Sequence, residues 1–140
     1  MASADDEAWV AVVRLHAQVE HELGQAVQRG HGLGLSEYRA LCHLSTAPGG
    51  ELRMQELADL LGLNQSSVTR LAARLEGAGY TRRDVCAGDR RGVYAVITEA
   101  GLARKREAAP TYEETLTAAL DRAGAEEGLA GLVAAVRVSS

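Results

Sequence analysis

Phenylalanine is absent from this sequence, and its one tryptophan and four tyrosines bring the aromatic share to only 4%. So few rings argue against the aromatic and β-branched strands of a sandwich. Alanine, leucine, valine and glycine dominate instead, which suits helices packed through small side chains. Cysteine is scarce too: Cys42 and Cys86 have neither CxxC spacing nor a histidine set beside them. A zinc site or a disulfide framework is thereby disfavoured, and a reducing compartment fits. No run of about 18 apolar residues occurs, so no membrane-spanning helix is expected. The opening Met1–Val10 is acidic where a signal peptide would be basic, which points to a cytoplasmic protein. At 140 residues and 46% apolar content the chain can bury one core, without room for a second catalytic domain.

Cations are in the minority as well, with a formal net charge of −4 that by itself would repel a polyanion. Their distribution reverses that inference locally. Between Asn64 and Arg106 stand nine cations (Arg70, Arg74, Arg82, Arg83, Arg90, Arg91, Arg104, Lys105, Arg106) against four anions, whereas the rest of the chain holds six against fifteen. A basic block inside an acidic chain is the footprint of a phosphate-binding face, although a solvated charged surface has the same composition.

Apolar spacing then lays out the elements. From Ala8 to about Arg29, Trp9, Val12, Val13, His16, Leu23 and Val27 recur at helical steps. Gly30, Gly32 and Gly34 end that helix, and a second runs from Leu35 to about Ser45, with Ser36 placed to cap it. After the loop Ala47–Gly50, a short helix carrying Leu52, Leu57, Leu60 and Leu61 is stopped by Gly62. Asn64 caps the next helix, Gln65 to about Ala78, whose apolar stripe is Val68, Leu71, Ala72 and Leu75. Two short helices joined by a three-residue turn containing glycine make a helix-turn-helix. Tyr80–Val85 and Val93–Ile97 read as a β-hairpin with a charged tip. Thr98 caps a long helix to about Arg122, with Pro110 as a kink, and a last helix spans roughly Glu126 to Val136. The expected fold class is therefore mainly α with a small β-hairpin wing.

In a helix-turn-helix the N-terminal residues of the second helix meet base edges and phosphates in the major groove. Here they include Ser66, Ser67, Thr69 and Arg70, all polar, while Val68 and Leu71 face the core. A capped amphipathic helix with no ligand would share this pattern. The hairpin tip adds Asp89, Arg90 and Arg91, of which Arg91 suits the narrow minor groove and Asp89 suits orienting an arginine. An ordinary solvated turn is the alternative.

In order and spacing, the runs Leu57–Leu71, Arg74–Tyr80, Arg82–Arg83, Asp89–Gly92 and Val96–Gly101 resemble the MarR family of bacterial transcriptional regulators. Thr81 departs from that pattern, where a hydrophobic residue is usual, and Cys86–Gly88 makes a slim wing. The resemblance implies a winged helix-turn-helix with N- and C-terminal dimerisation helices: one domain over 1–140, with 8–30 and 99–138 joining a homodimer and 35–98 binding DNA. It implies a double-stranded DNA partner met by Asn64, Gln65, Ser66, Ser67, Thr69, Arg70, Arg74, Arg90 and Arg91, with Asp89 as wing support. It also implies a repressor of a pseudo-palindromic operator, released by a small organic or phenolic effector. Trp9, Arg14, His16, Tyr38, Arg39 and His43 stand on segments that could line an effector pocket, packing or surface being the other role for each. No cofactor is expected.

Other functions make different demands on the sequence. An enzyme would need a nucleophile with its base, convergent carboxylates or metal ligands, and the adjacent pairs Glu113–Glu114 and Glu126–Glu127 diverge on a helix. A metal-responsive regulator could draw ligands from His16, Glu20, His21 and Glu22, although zinc prefers more histidine or cysteine. A protein-interaction adaptor would reuse the winged helix without DNA. Redox sensing at Cys42 is disfavoured by its place in an apolar helix.

Overall fold

A computed structural model describes residues 2–85 and 92–138. In chain order these form α1 (Ala4–His31), α2 (Leu35–Thr46), a 3-10 turn (Pro48–Gly50), β1 (Glu51–Arg53), α3 (Met54–Leu61), α4 (Gln65–Gly77), β2 (Thr81–Val85), β3 (Val93–Ile97), α5 (Glu99–Gly124) and α6 (Ala130–Val138). The chain divides into two compact units, one from residues 1–30 with 110–140 and the other from residues 31–109.

The first unit is helical. On α1 the buried residues are Leu15, Val19, Leu23 and Val27, a strict four-residue spacing that keeps one stripe inward. This corrects the expected face. Leu23 and Val27 belong to it, but Trp9 and Val13 are 66% and 51% exposed and His16 is exposed, because Leu15 and Val19 carry the inward stripe toward the N-terminus. Among the described residues, Ala119, Ala123, Leu129 and Val133 are the other buried side chains of this unit. Arg14 pairs with Glu126 at 2.5 Å and Arg122 with Glu22, tying α1 to the opposite end of α5 and the turn beyond it. Arg137 Nη2 donates to the Thr117 carbonyl oxygen at 3.0 Å and Arg137 Nη1 pairs with Asp121 at 2.9 Å, holding α6 against α5. The last helix starts at Ala130, later than its apolar spacing predicts, because tight turns between Arg122 and Leu129 separate it from α5.

The second unit is the winged helix-turn-helix. Leu33, Tyr38, Ala40, Leu41, Leu44, Leu57, Ala58, Val68, Leu71, Leu75 and Ala95 bury almost completely in its core. Each large side chain so buried contributes about 1.5 to 3 kcal/mol. The hairpin is part of a larger sheet: β1 pairs antiparallel with β3, giving three strands in the order β1-β3-β2. Leu52 therefore lies in a strand, opposite Ala95, and not in the apolar stripe of α3. Three residues are too few to show a two-residue period, so β1 exists only because β3 offers it a ladder. With neighbours on both edges, β3 buries both Ala95 and Val96 instead of alternating.

Caps set the helix limits. Gly34, not Ser36, is the N-cap of α2, and the Glu37 carboxylate accepts from the Gly34 amide at 2.7 Å. Gly62 ends α3 at φ +68, a left-handed conformation in which a side chain would be strained, with its N–H directed to the carbonyls of Ala58 and Asp59. Thr98 Oγ1 accepts from the Gly101 amide at 3.1 Å and donates to the Gly79 carbonyl at 2.7 Å, fastening the start of α5 to the entry of β2. Pro110 lies inside α5, at the boundary between the units.

Candidate nucleic-acid interface

The helix-turn-helix is α3, the turn Gly62–Asn64, and α4. Asn64 Oδ1 accepts from the Ser67 amide at 2.8 Å and from Ser66 Oγ at 3.0 Å, so one side chain satisfies an orphan amide and fixes the helix entry. Val68, Leu71, Ala72 and Leu75 turn inward, while Gln65, Ser66, Thr69, Arg70 and Arg74 are exposed. Thr69 Oγ1 donates to the Gln65 carbonyl at 2.8 Å, which spends its proton and leaves the oxygen as an acceptor. Arg70 Nη2 reaches Ser67 Oγ at 3.4 Å, along the outward face. Hydroxyls, an amide and the Arg70 guanidinium are thus presented together by the first two turns of a capped helix, whose N-terminal dipole favours an anion.

Several arginines of this unit stand beside carboxylates: Arg74 with Glu37 at 3.9 Å, Arg82 with Asp84 at 3.7 Å and Arg83 with Glu76 at 3.5 Å. The Arg82 and Arg83 pairs, long and exposed on both sides, hold at most about 1 kcal/mol each, so a phosphate can displace the carboxylate. Arg74 is accordingly turned toward α2 here, and Ser67 is the only half-buried one of the expected α4 contacts.

A groove of about 460 Å³ opens along one side of α4, lined by Gln65 and Thr69 together with Arg53, Gln55, Arg83 and Val93 among others. Arg53, Gln55 and Arg83 were not among the residues expected from sequence. Arg83 had a visible signal as half of the Arg82–Arg83 pair, but Arg53 reaches the groove only through the pairing of β1 with β3. The wing residues Asp89, Arg90 and Arg91, and Cys86, lie outside the described residues; Val85 and Val93, paired at the ends of β2 and β3, bracket them.

The residues expected to line an effector pocket divide between the units. Trp9, Arg14 and His16 stand on α1, with Arg14 engaged by Glu126 and His16 Nε2 3.5 Å from Glu20. Tyr38, Arg39 and His43 stand on α2, Tyr38 fully in the core and the other two half-buried. Among the described residues no group of three histidine, cysteine, aspartate or glutamate side chains comes together, and Glu22 pairs with Arg122. Among the same residues no helix is long and apolar enough to cross a membrane.

A MarR family model matches residues 31–92, the span of the second unit up to the start of β3. A comparison with curated protein sequences found no significant match. Among solved structures, the chain is similar to a MarR family transcriptional regulator from Streptomyces coelicolor in complex with DNA, at 28% identity and TM-score 0.81, covering 99% of this chain and 87% of that one. It is similar to AbsC, a second regulator of that family from the same organism, at 30% identity and TM-score 0.80, covering 97% and 92%. A Mycobacterium tuberculosis MarR family protein in complex with salicylic acid is 25% identical at TM-score 0.67, covering 87% and 85%. With a capped helix-turn-helix, a three-stranded wing and this identity over nearly the whole length of both chains, the chain belongs to the MarR family.

Proposed function

We propose that this protein is a sequence-specific, double-stranded DNA-binding transcriptional regulator that acts as a homodimer and represses a pseudo-palindromic operator until a small organic acid or phenol releases it. The observation that carries the DNA reading is the α4 entry: Asn64 caps the helix, and Gln65, Ser66, Thr69 and Arg70 stand exposed beside it. Ser66, Ser67, Thr69 and Arg70 read or contact the major groove, with Asn64 and Gln65 at the helix mouth and Arg74 on the flanking phosphates. Arg91, helped by Arg90 and oriented by Asp89, enters the minor groove. The DNA complex of the similar Streptomyces coelicolor regulator supports the reading of a DNA-binding regulator.

Residues 35–98 serve as the DNA-binding lobe, and 8–30 with 99–138 as the dimerisation helices of one domain. Trp9, Val10 and Val13 on α1, with Val136 and Val138 on α6, expose large apolar side chains, which a second copy of the chain would cover. Two copies would set two α4 helices on half-sites about one helical turn apart. The salicylic acid complex of the Mycobacterium tuberculosis relative supports an organic-acid effector, with Trp9, His16, Tyr38, Arg39 and His43 as its candidate contacts.

Fluorescence-anisotropy titration against duplex from the gene's own upstream region and a scrambled duplex, at two salt concentrations, tests the reading. Salt-sensitive binding about a thousandfold tighter to the upstream duplex is expected. No binding to either duplex at low salt would replace it with a protein-interaction adaptor.

A further inference from the structure

The groove beside α4 has the recognition helix on one side and the wing on another. Gln65 and Thr69 line it from α4, Arg83 and Val93 from the wing strands. Arg83 lies opposite Ala95 in the ladder of β2 with β3, and two places further along the same face Val85 lies opposite Val93. The sheet therefore holds the Arg83 backbone, while its side chain reaches α4, where Arg83 Nη2 stands 3.5 Å from Glu76 Oε2. Gln65, Thr69 and Glu76 follow one another on α4 at steps of four and seven residues, so all three share one face of the helix.

Both partners of this pair are about half exposed, with 55% of the Arg83 side chain and 45% of the Glu76 side chain open to solvent. Their separation exceeds the roughly 2.7 to 2.9 Å of a tight charge-assisted hydrogen bond, so the carboxylate orients the guanidinium without locking it. A carboxylate and a phosphate offer a guanidinium the same match, anionic oxygens set against a planar fork. Glu76 thus takes, within the chain, the place that a phosphate oxygen would take at Arg83. Two anions at one guanidinium repel each other, so one must leave when the other arrives.

We propose that Arg83 binds a backbone phosphate of the DNA strand that lies along this groove, and that Glu76 is its internal competitor, from which Arg83 is drawn when duplex binds. This rests on the DNA-binding reading above. Glu76 acts as a brake on affinity for duplex of any sequence, because the pair must part at every phosphate contact and phosphates carry no base identity.

The test is an anisotropy titration of the full chain against a random-sequence duplex between low and moderate salt, for wild type, Arg83→Gln, Arg83→Lys, Glu76→Gln and the Glu76→Gln/Arg83→Gln double variant. Circular dichroism and denaturant midpoints of each confirm folding. Arg83→Gln is expected to weaken binding roughly threefold to tenfold and to reduce the slope of log affinity against log salt by about 0.9, the value for one phosphate contact. Arg83→Lys keeps the slope, since its charge remains. Glu76→Gln strengthens binding about twofold to fivefold, the range an exposed ion pair can hold back, and has no effect once Arg83 is glutamine. A wild-type affinity and slope for Arg83→Gln would overturn the phosphate contact while leaving the DNA-binding reading standing. Glu76→Gln that fails to strengthen binding, or strengthens it equally in both backgrounds as a mere change of net charge would, overturns the competition. Wild-type protein that binds no duplex at low salt would end both this proposal and the reading beneath it.

Discussion

Asn64 does two jobs with one oxygen, accepting from the Ser67 amide and from Ser66 Oγ, so it sets both the start of α4 and the pose of a hydroxyl in the proposed reading group. Replacing it with alanine is expected to cost about 1 kcal/mol of stability, the usual worth of an N-cap, read as a lower urea midpoint with an unchanged slope. Arg70 carries the sharper test. If it reads a base, Arg70→Ala costs about 1 to 3 kcal/mol on the preferred duplex and less on a scrambled one. Equal losses on both duplexes would reassign Arg70 to phosphate. These residues were legible because their roles are local: a cap acts across three residues, and one face of a helix is a matter of spacing. Arg53 was not legible, since its place beside α4 comes from β1 lying against β3, across 41 residues of chain.

Among the elements, the junction of α5 with the wing is the least tolerant. A Cβ on Gly101 would stand 2.2 Å from the Tyr80 carbonyl oxygen and 2.9 Å from Ile97 Cγ1, far inside contact distance. Gly101→Ala should therefore destabilise the protein by about 1 to 3 kcal/mol, the scale of overpacking, although alanine is the better helix former. Gly77→Ala is the control: a Cβ there meets nothing within 4 Å, and a gain of up to about 1 kcal/mol is expected. Thermal or urea unfolding of the two variants should move in opposite directions. The helices and the hairpin strands were readable from apolar period, glycine stops and caps. The edge strand β1 was not, because three residues show no period, and the true cap of α2 was not, because a glycine backbone with a glutamate three residues on serves as well as Ser36.

For the whole molecule, the exposed Trp9, Val10 and Val13 mark the surface by which the proposed homodimer is judged. Wild-type protein should sediment as a dimer, and Val13→Glu should shift it toward monomer and weaken binding to a two-half-site operator far more than to a single half-site. A monomeric wild type would remove the pairing of α4 helices from the functional reading. At this scale the chain's net charge of −4 misleads, since its cations gather in the stretch that folds as α4, the wing and the start of α5. The sequence by itself determined the helix order, the helix-turn-helix, the wing strands, the inward stripe of α4 and the family likeness, because each rests on interactions within a few residues or on a motif in register. Only the tertiary structure decided which stripe of α1 is buried, that the wing is three-stranded, that Glu22 answers Arg122, and that Arg53 faces the recognition helix across a groove. Those features depend on which distant segment arrives alongside, and no local pattern of residue types encodes that arrival.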